Sequence, residues 1–121
     1  MAEMHDWLVK TLRKELIRKG FRLAKSPMPT YRPDLFAERF GRNDRLLEQT
    51  LVEAEIESTL FSEHTSHQLL LLHEFLQHQK KRRIKVRGYL LVPMGKQILA
   101  LANSLLDSLF PRGTPIRVSQ N

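Results

Sequence analysis

In the stretch Leu51–Glu57, apolar and acidic residues alternate: Val52-Glu53-Ala54-Glu55-Ile56-Glu57. A period of two is the signature of a strand with one buried face, so Val52, Ala54 and Ile56 are expected to enter a core. Glu53, Glu55 and Glu57 then share the opposite face. Carboxylates two residues apart on a strand stand roughly 6.5–7 Å from each other, at about 3.3 Å of rise per residue. Like charges at that spacing repel, so a bare sheet face gains nothing from them, whereas a divalent cation makes the arrangement favourable. A plain solvated strand face is the competing reading.

Charge is distributed unevenly around this stretch. The net charge of +7 over 121 residues divides into +4 for residues 1–25, −4 for 26–66 and +7 for 67–121. An acidic centre between basic flanks suits a protein that holds a polyanion with its flanks and a metal ion with its middle. The length fits one domain, residues 1–121, with a single core. The chain has no Cys, which excludes a disulfide framework and thiolate metal sites. No apolar run reaches the length of a membrane span, and Lys10, Arg13 and Lys14 interrupt the first apolar stretch, so no secretory signal is read there. A soluble, cytoplasmic protein is the expectation.

Periodicity predicts an amphipathic helix over 4–19, carried by Trp7, Leu8, Leu12, Leu16 and Ile17 and stopped at Gly20. Strands are expected at Phe21–Ala24, Pro33–Phe40, Leu46–Glu57 and Ile84–Val92, and helices at His67–Lys80 and Lys96–Phe110. Pro27 and Pro29 make the first connection a loop, and Gly41-Arg42-Asn43-Asp44 is a hairpin-type turn. Residues 111–121 are a tail, either poorly ordered or carrying a short strand at Ile116-Arg117-Val118. The order α-β-β-β-α-β-α implies an α/β (α+β) domain, a mixed four-stranded sheet flanked by helices.

Arg32-Pro33-Asp34, a short hairpin, and then Val52-Glu53-Ala54-Glu55 together resemble the PD-(D/E)XK nuclease superfamily, whose fold is restriction-endonuclease-like. The resemblance covers roughly residues 5–92. It implies a metal-dependent DNA endonuclease using Mg2+ or Mn2+, with DNA as partner, and a homodimer if both strands are cut. Asp34 stands at the place of the family's first metal-binding acid and Glu53 at the place of the second. The family's Lys position is occupied by Glu55, a departure also found in some restriction enzymes. Reading the motif one pleat later, as Glu55 and Glu57, predicts the same surface. A non-catalytic relative that kept the fold and binds nucleic acid, or serves in an assembly, is the alternative. In parts of the superfamily the first helix adds an acid, for which Glu3, Asp6 and Glu15 are candidates. A functional Gln on the next helix has Gln68 as its counterpart.

The run Lys80-Lys81-Arg82-Arg83-Ile84-Lys85-Val86-Arg87 is the densest basic segment. Phosphate contact is its functional reading and a charged, aggregation-blocking strand edge the bland one. His64 follows the acidic strand, but His64 and His67 alone do not make a zinc site. Trp7, Phe36, Phe75 and Phe110 are expected in the core, with no aromatic spacing that suggests base stacking.

Overall fold

The computed structural model describes residues 2–80 and 82–121, so Lys81 lies outside the described residues. The order is α1 (Ala2–Arg18), β1 (Arg22–Leu23), β2 (Leu35–Phe40), β3 (Leu46–Ala54), α2 (Glu63–Gln79), β4 (Lys85–Val92), α3 (Lys96–Leu109) and β5 (Arg117–Gln120). The sheet is mixed, in the order β1-β2-β3-β4-β5. β1, β2 and β3 pair antiparallel, whereas β3–β4 and β4–β5 are parallel. Parallel neighbours need long crossovers, and α2 and α3 supply them. Among the described residues the class is therefore α+β, with three α-helices and a five-stranded sheet rather than a four-stranded one. The fifth strand comes from the 111–121 tail, where Arg117–Gln120 pairs with Tyr89–Val92.

α1 covers one face of the sheet. Leu8 and Leu16 pack there with Leu35, Ala37, Val52, Ala54 and Leu91, and Leu12 sits against them. Residues 8, 12 and 16 recur every fourth position and form a narrow stripe. Trp7 and Ile17 flank that stripe and are each 51% exposed, so neither belongs to the core. Gly20 ends α1 with φ +91°, a conformation that suits glycine, and the Phe21 N–H closes the turn on the Leu16 carbonyl at 2.9 Å.

α2 and α3 cover the other face, where Leu51, Leu90 and Val92 meet Leu69, Leu72, Leu76, Leu105 and Leu106. Gly88 is needed for this contact. A Cβ there would stand 2.6 Å from Leu76 Cδ1 and 3.0 Å from Leu72 Cδ1. α2 starts four residues earlier than periodicity predicts, because Ser62 caps it and its side chain accepts from the Thr65 N–H at 3.1 Å.

β3 departs from the one-sided strand expected for it. Leu51, Val52, Glu53 and Ala54 are all buried, so both faces are covered. The strand also stops at Ala54 rather than Glu57. Turn hydrogen bonds from Thr59 and Leu60 to the Ile56 carbonyl bend the chain away, and Glu57 is exposed outside the strand.

Candidate functional site

Asp34 precedes β2, Glu53 is the penultimate residue of β3, and Glu55 follows its end. β2 and β3 pair Leu35 with Val52, so one further step of that register sets Asp34 opposite Glu53. The three acids line one cavity of about 500 Å3 together with His5, Ile56, Ser58, Thr59, Ser62, His64 and Thr65. Glu53 and Glu55 are withdrawn from water, at 2% and 7% exposed, whereas Asp34 is exposed at the mouth of the cavity.

Each carboxylate is held by one of its oxygens. Asp34 Oδ2 accepts from the Ala54 N–H at 2.8 Å and faces His5 Nε2 at 3.3 Å. Glu53 Oε2 accepts from the Tyr31 hydroxyl at 2.6 Å. Glu55 Oε2 accepts from the Thr59 hydroxyl at 2.6 Å. The Asp34 backbone also hydrogen-bonds the Glu53 carboxylate.

Electrostatics at this site are unfavourable as it stands. Burial pushes the Glu53 carboxyl from its ordinary 4.5 up to about 8; the Tyr31 hydrogen bond opposes this, and the charges of Asp34 and Glu55 add to it. The Tyr31 phenol is raised by its own burial and then by Glu53. Burial alone would lower the His5 imidazole, but Asp34, Asp6 and Glu55 outweigh it and raise it. Among the described residues no Lys or Arg lines the cavity. The acids thus meet two imidazoles and no permanent cation.

The donor set, three carboxylates, suits a hard divalent ion. Among the described residues no three His, Cys, Asp or Glu side chains stand close enough to hold an ion by themselves. Mg2+ does not need them to, since it is usually bound through one or two carboxylates and keeps several waters. On that basis the residues fit an ion held by Asp34 and Glu53 with water completing its shell.

Other residues singled out in the sequence fall elsewhere. Glu57 lies outside the cavity lining, exposed on the turn. On α1, Asp6 is 78% exposed and reaches only His5, and Glu15 pairs with Lys19 at 3.1 Å. Glu3 is exposed and does not line the cavity. Gln68 Nε2 donates to the Arg32 carbonyl at 3.1 Å, tying α2 to the loop that delivers Asp34 without lining the cavity. The basic run is not brought to the acids. Lys80, Arg82, Arg83, Lys85 and Arg87 are exposed, and Arg82 bonds Gln79 while Arg87 pairs with Glu48. Glu53 pairs with Leu90, five residues beyond Lys85, which puts Lys85 about 16 Å away along the sheet.

His5, Tyr31 and Thr59 are the contributors that sequence reasoning missed. A signal existed for His5, which continues the Leu8-Leu12-Leu16 stripe and so places a polar side chain on the sheet-facing side of α1. Tyr31 carries no comparable mark beyond its place just before Arg32-Pro33-Asp34. The described helices include none long and apolar enough to cross a membrane. In comparisons with known proteins, the chain matches no family model, no curated protein and no solved structure.

Proposed function

We propose that this protein is a metal-dependent DNA endonuclease with a restriction-endonuclease-like core, hydrolysing phosphodiester bonds. The observation that carries the reading is the convergence of Asp34, Glu53 and Glu55 on one cavity at the end of β3. The α1-covered antiparallel β1–β3 meander followed by a parallel β4 supports the same reading, because the resemblance implies that order of elements, with an acid opening the second strand and another on the third.

In this reading Asp34 and Glu53 would hold the ion through their carboxylates. A bound Mg2+ or Mn2+ supplies polarisation of the scissile phosphate and a lowered pKa for water. Tyr31 fixes the rotamer of Glu53, and the Ala54 N–H fixes Asp34, so the acids are positioned before substrate arrives. Glu55, turned by Thr59, is placed to orient water but cannot supply the positive charge of the family's Lys. Exposed Lys80, Arg82, Arg83, Lys85 and Arg87 give sequence-independent phosphate contacts at a distance from the chemistry. For cutting both strands together, a homodimer would bring one such site to each strand.

The test is cleavage of plasmid, single-stranded and branched DNA by purified protein with Mg2+ or Mn2+. Cleavage that disappears with a chelator and in Asp34→Asn and Glu53→Gln is the expected result. A protein that cuts none of these substrates with either ion overturns the reading. One observation favours a second reading, a non-catalytic nucleic-acid-binding or assembly subunit: no Lys or Arg among the described residues lines the cavity. Salt-dependent DNA binding with no cleavage, unchanged in Glu55→Gln, would be its signature.

A further inference from the structure

We propose that the open half of β4 docks an extended segment of a partner protein, one in which acidic and apolar residues alternate. This goes beyond the nuclease reading and does not depend on it, because the residues involved do not line the acidic cavity. β4 pairs with β3 from Lys85 to Leu91, but with β5 only from Tyr89 to Val92. On the β5 side, Lys85–Gly88 therefore has no strand neighbour among the described residues, and no turn or loop backbone bonds it there. Alternate residues of such an edge turn their N–H and C=O groups outward, and an incoming strand completes the ladder. The structure leaves room for one. A cavity of about 410 Å3 is lined from β4 by Val86–Tyr89, and from the approach to β5 by Thr114, Pro115 and Arg117.

The two sides of this edge set the partner's chemistry. Side chains alternate along a strand, so Lys85 and Arg87 share the α1 side of the sheet with Tyr89, and Arg117, which pairs with Tyr89, joins them there. That side is left cationic. Arg87 meets Glu48 at 3.7 Å, but Arg39 holds Glu48 closer, at 3.2 Å, and among the described residues Lys85 and Arg117 have no acidic partner. On the opposite side Ile84 and Val86 are half-buried. With Leu76 and Pro115 they line a second cavity of about 150 Å3, which Lys80 and Arg82 also line. A strand laid along Lys85–Gly88 turns every other side chain to the cations and those between to Val86 and Leu76. Asp or Glu suits the first set, and Val, Leu or Ile the second.

Charge and backbone together decide the occupant. A second copy offered edge to edge sets Lys85 and Arg87 against their own counterparts, and like charges facing across strands are destabilising. Nucleic acid satisfies the cations, but it brings no strand backbone for the open ladder and no apolar side chain for the Val86 side. An acidic, alternating strand satisfies all three.

Fluorescence anisotropy of a labelled short peptide alternating Glu and Val, titrated with the full chain at low salt, measures the binding, and amide hydrogen exchange followed by NMR locates it. Exchange is expected to slow within Lys85–Gly88 when the peptide binds. Arg87→Glu and Arg117→Glu are each expected to weaken binding about tenfold. Backbone N-methylation of the peptide removes its ladder donors but keeps its charge, and is expected to abolish binding. A peptide of the same composition with its Glu and Val residues in separate blocks is expected to bind about tenfold more weakly. These two peptides test the proposal on native protein, so it stays falsifiable if a variant folds poorly. No binding of the alternating peptide, equal binding of the N-methylated form, or unchanged exchange within Lys85–Gly88 overturns the proposal. Oligonucleotide binding without peptide binding also overturns it, and assigns these cations to nucleic acid alone.

Discussion

Glu53 makes a sharp test, because its burial has a pH-dependent cost. Its carboxyl rises from 4.5 to about 8 on folding, burial being the main cause. Below pH 4.5 folded and unfolded chains both carry the proton, and the acid costs nothing. Between 4.5 and about 8 the unfolded chain has released a proton that the folded chain keeps, so stability falls by about 1.4 kcal/mol per pH unit. Above about 8 both states are ionised and the loss is complete. At pH 7 the accumulated loss from this one group is about 3 kcal/mol. Glu53→Gln keeps the shape and still accepts from Tyr31, but cannot ionise. The variant is expected to match native protein near pH 4.5 and to exceed it by about 3 kcal/mol at pH 7, on the order of 10 °C in Tm for a chain of this size. Urea unfolding followed by circular dichroism from pH 4.5 to 9, in chelator, measures the difference curve. Mn2+ should then narrow the gap, because an ion stabilises the native carboxylate and has less to bind in the variant. A stability difference that does not change with pH would refute the reasoning.

Three further outcomes follow from neighbouring contacts. Tyr31→Phe removes the donor to Glu53 Oε2 and should cost about 1–3 kcal/mol in urea unfolding, with weaker Mn2+ binding. Gly88→Ala forces a methyl group against Leu76 and Leu72 and should lose about 1–3 kcal/mol without altering metal affinity. Reversing Arg83 and Lys85 to Glu should weaken DNA binding and flatten its salt dependence, since both are exposed and far from the acids; unchanged DNA affinity would remove the basic run from the interface.

Much of the framework was legible because it rests on local periodicity. The Leu8-Leu12-Leu16 stripe and the Val52-Ala54 pair each face the layer their spacing demands. The acidic face of β3 was not legible, and the reason is geometric. Alternation reads the same whether the polar face meets water or the rim of a second core. Here α2 and α3 close over Leu51, so Glu53 ends up buried beside a cavity. Glu57 was misplaced because the turn that removes it depends on Thr59 and Leu60 bonding back to Ile56, a feature that hydropathy does not register. Tyr31 and His5 lie 22 and 29 residues from the acids they touch, and no short-range spacing encodes a contact of that separation.

The bond from the Ala54 N–H to Asp34 Oδ2 has a consequence for how position 34 is retained. β2 begins at Leu35, so the Asp34 side chain takes up a backbone donor at the end of β3, where the β2–β3 ladder stops. The residue thereby closes the seam between two strands whatever chemistry it performs. A library randomised at position 34 and sorted only for folded, protease-resistant protein, with no selection for DNA cleavage, should return Asp and Asn above all other residues. Foldability would then guard an acid or its amide at this place, and selection for catalysis would have only the charge left to choose.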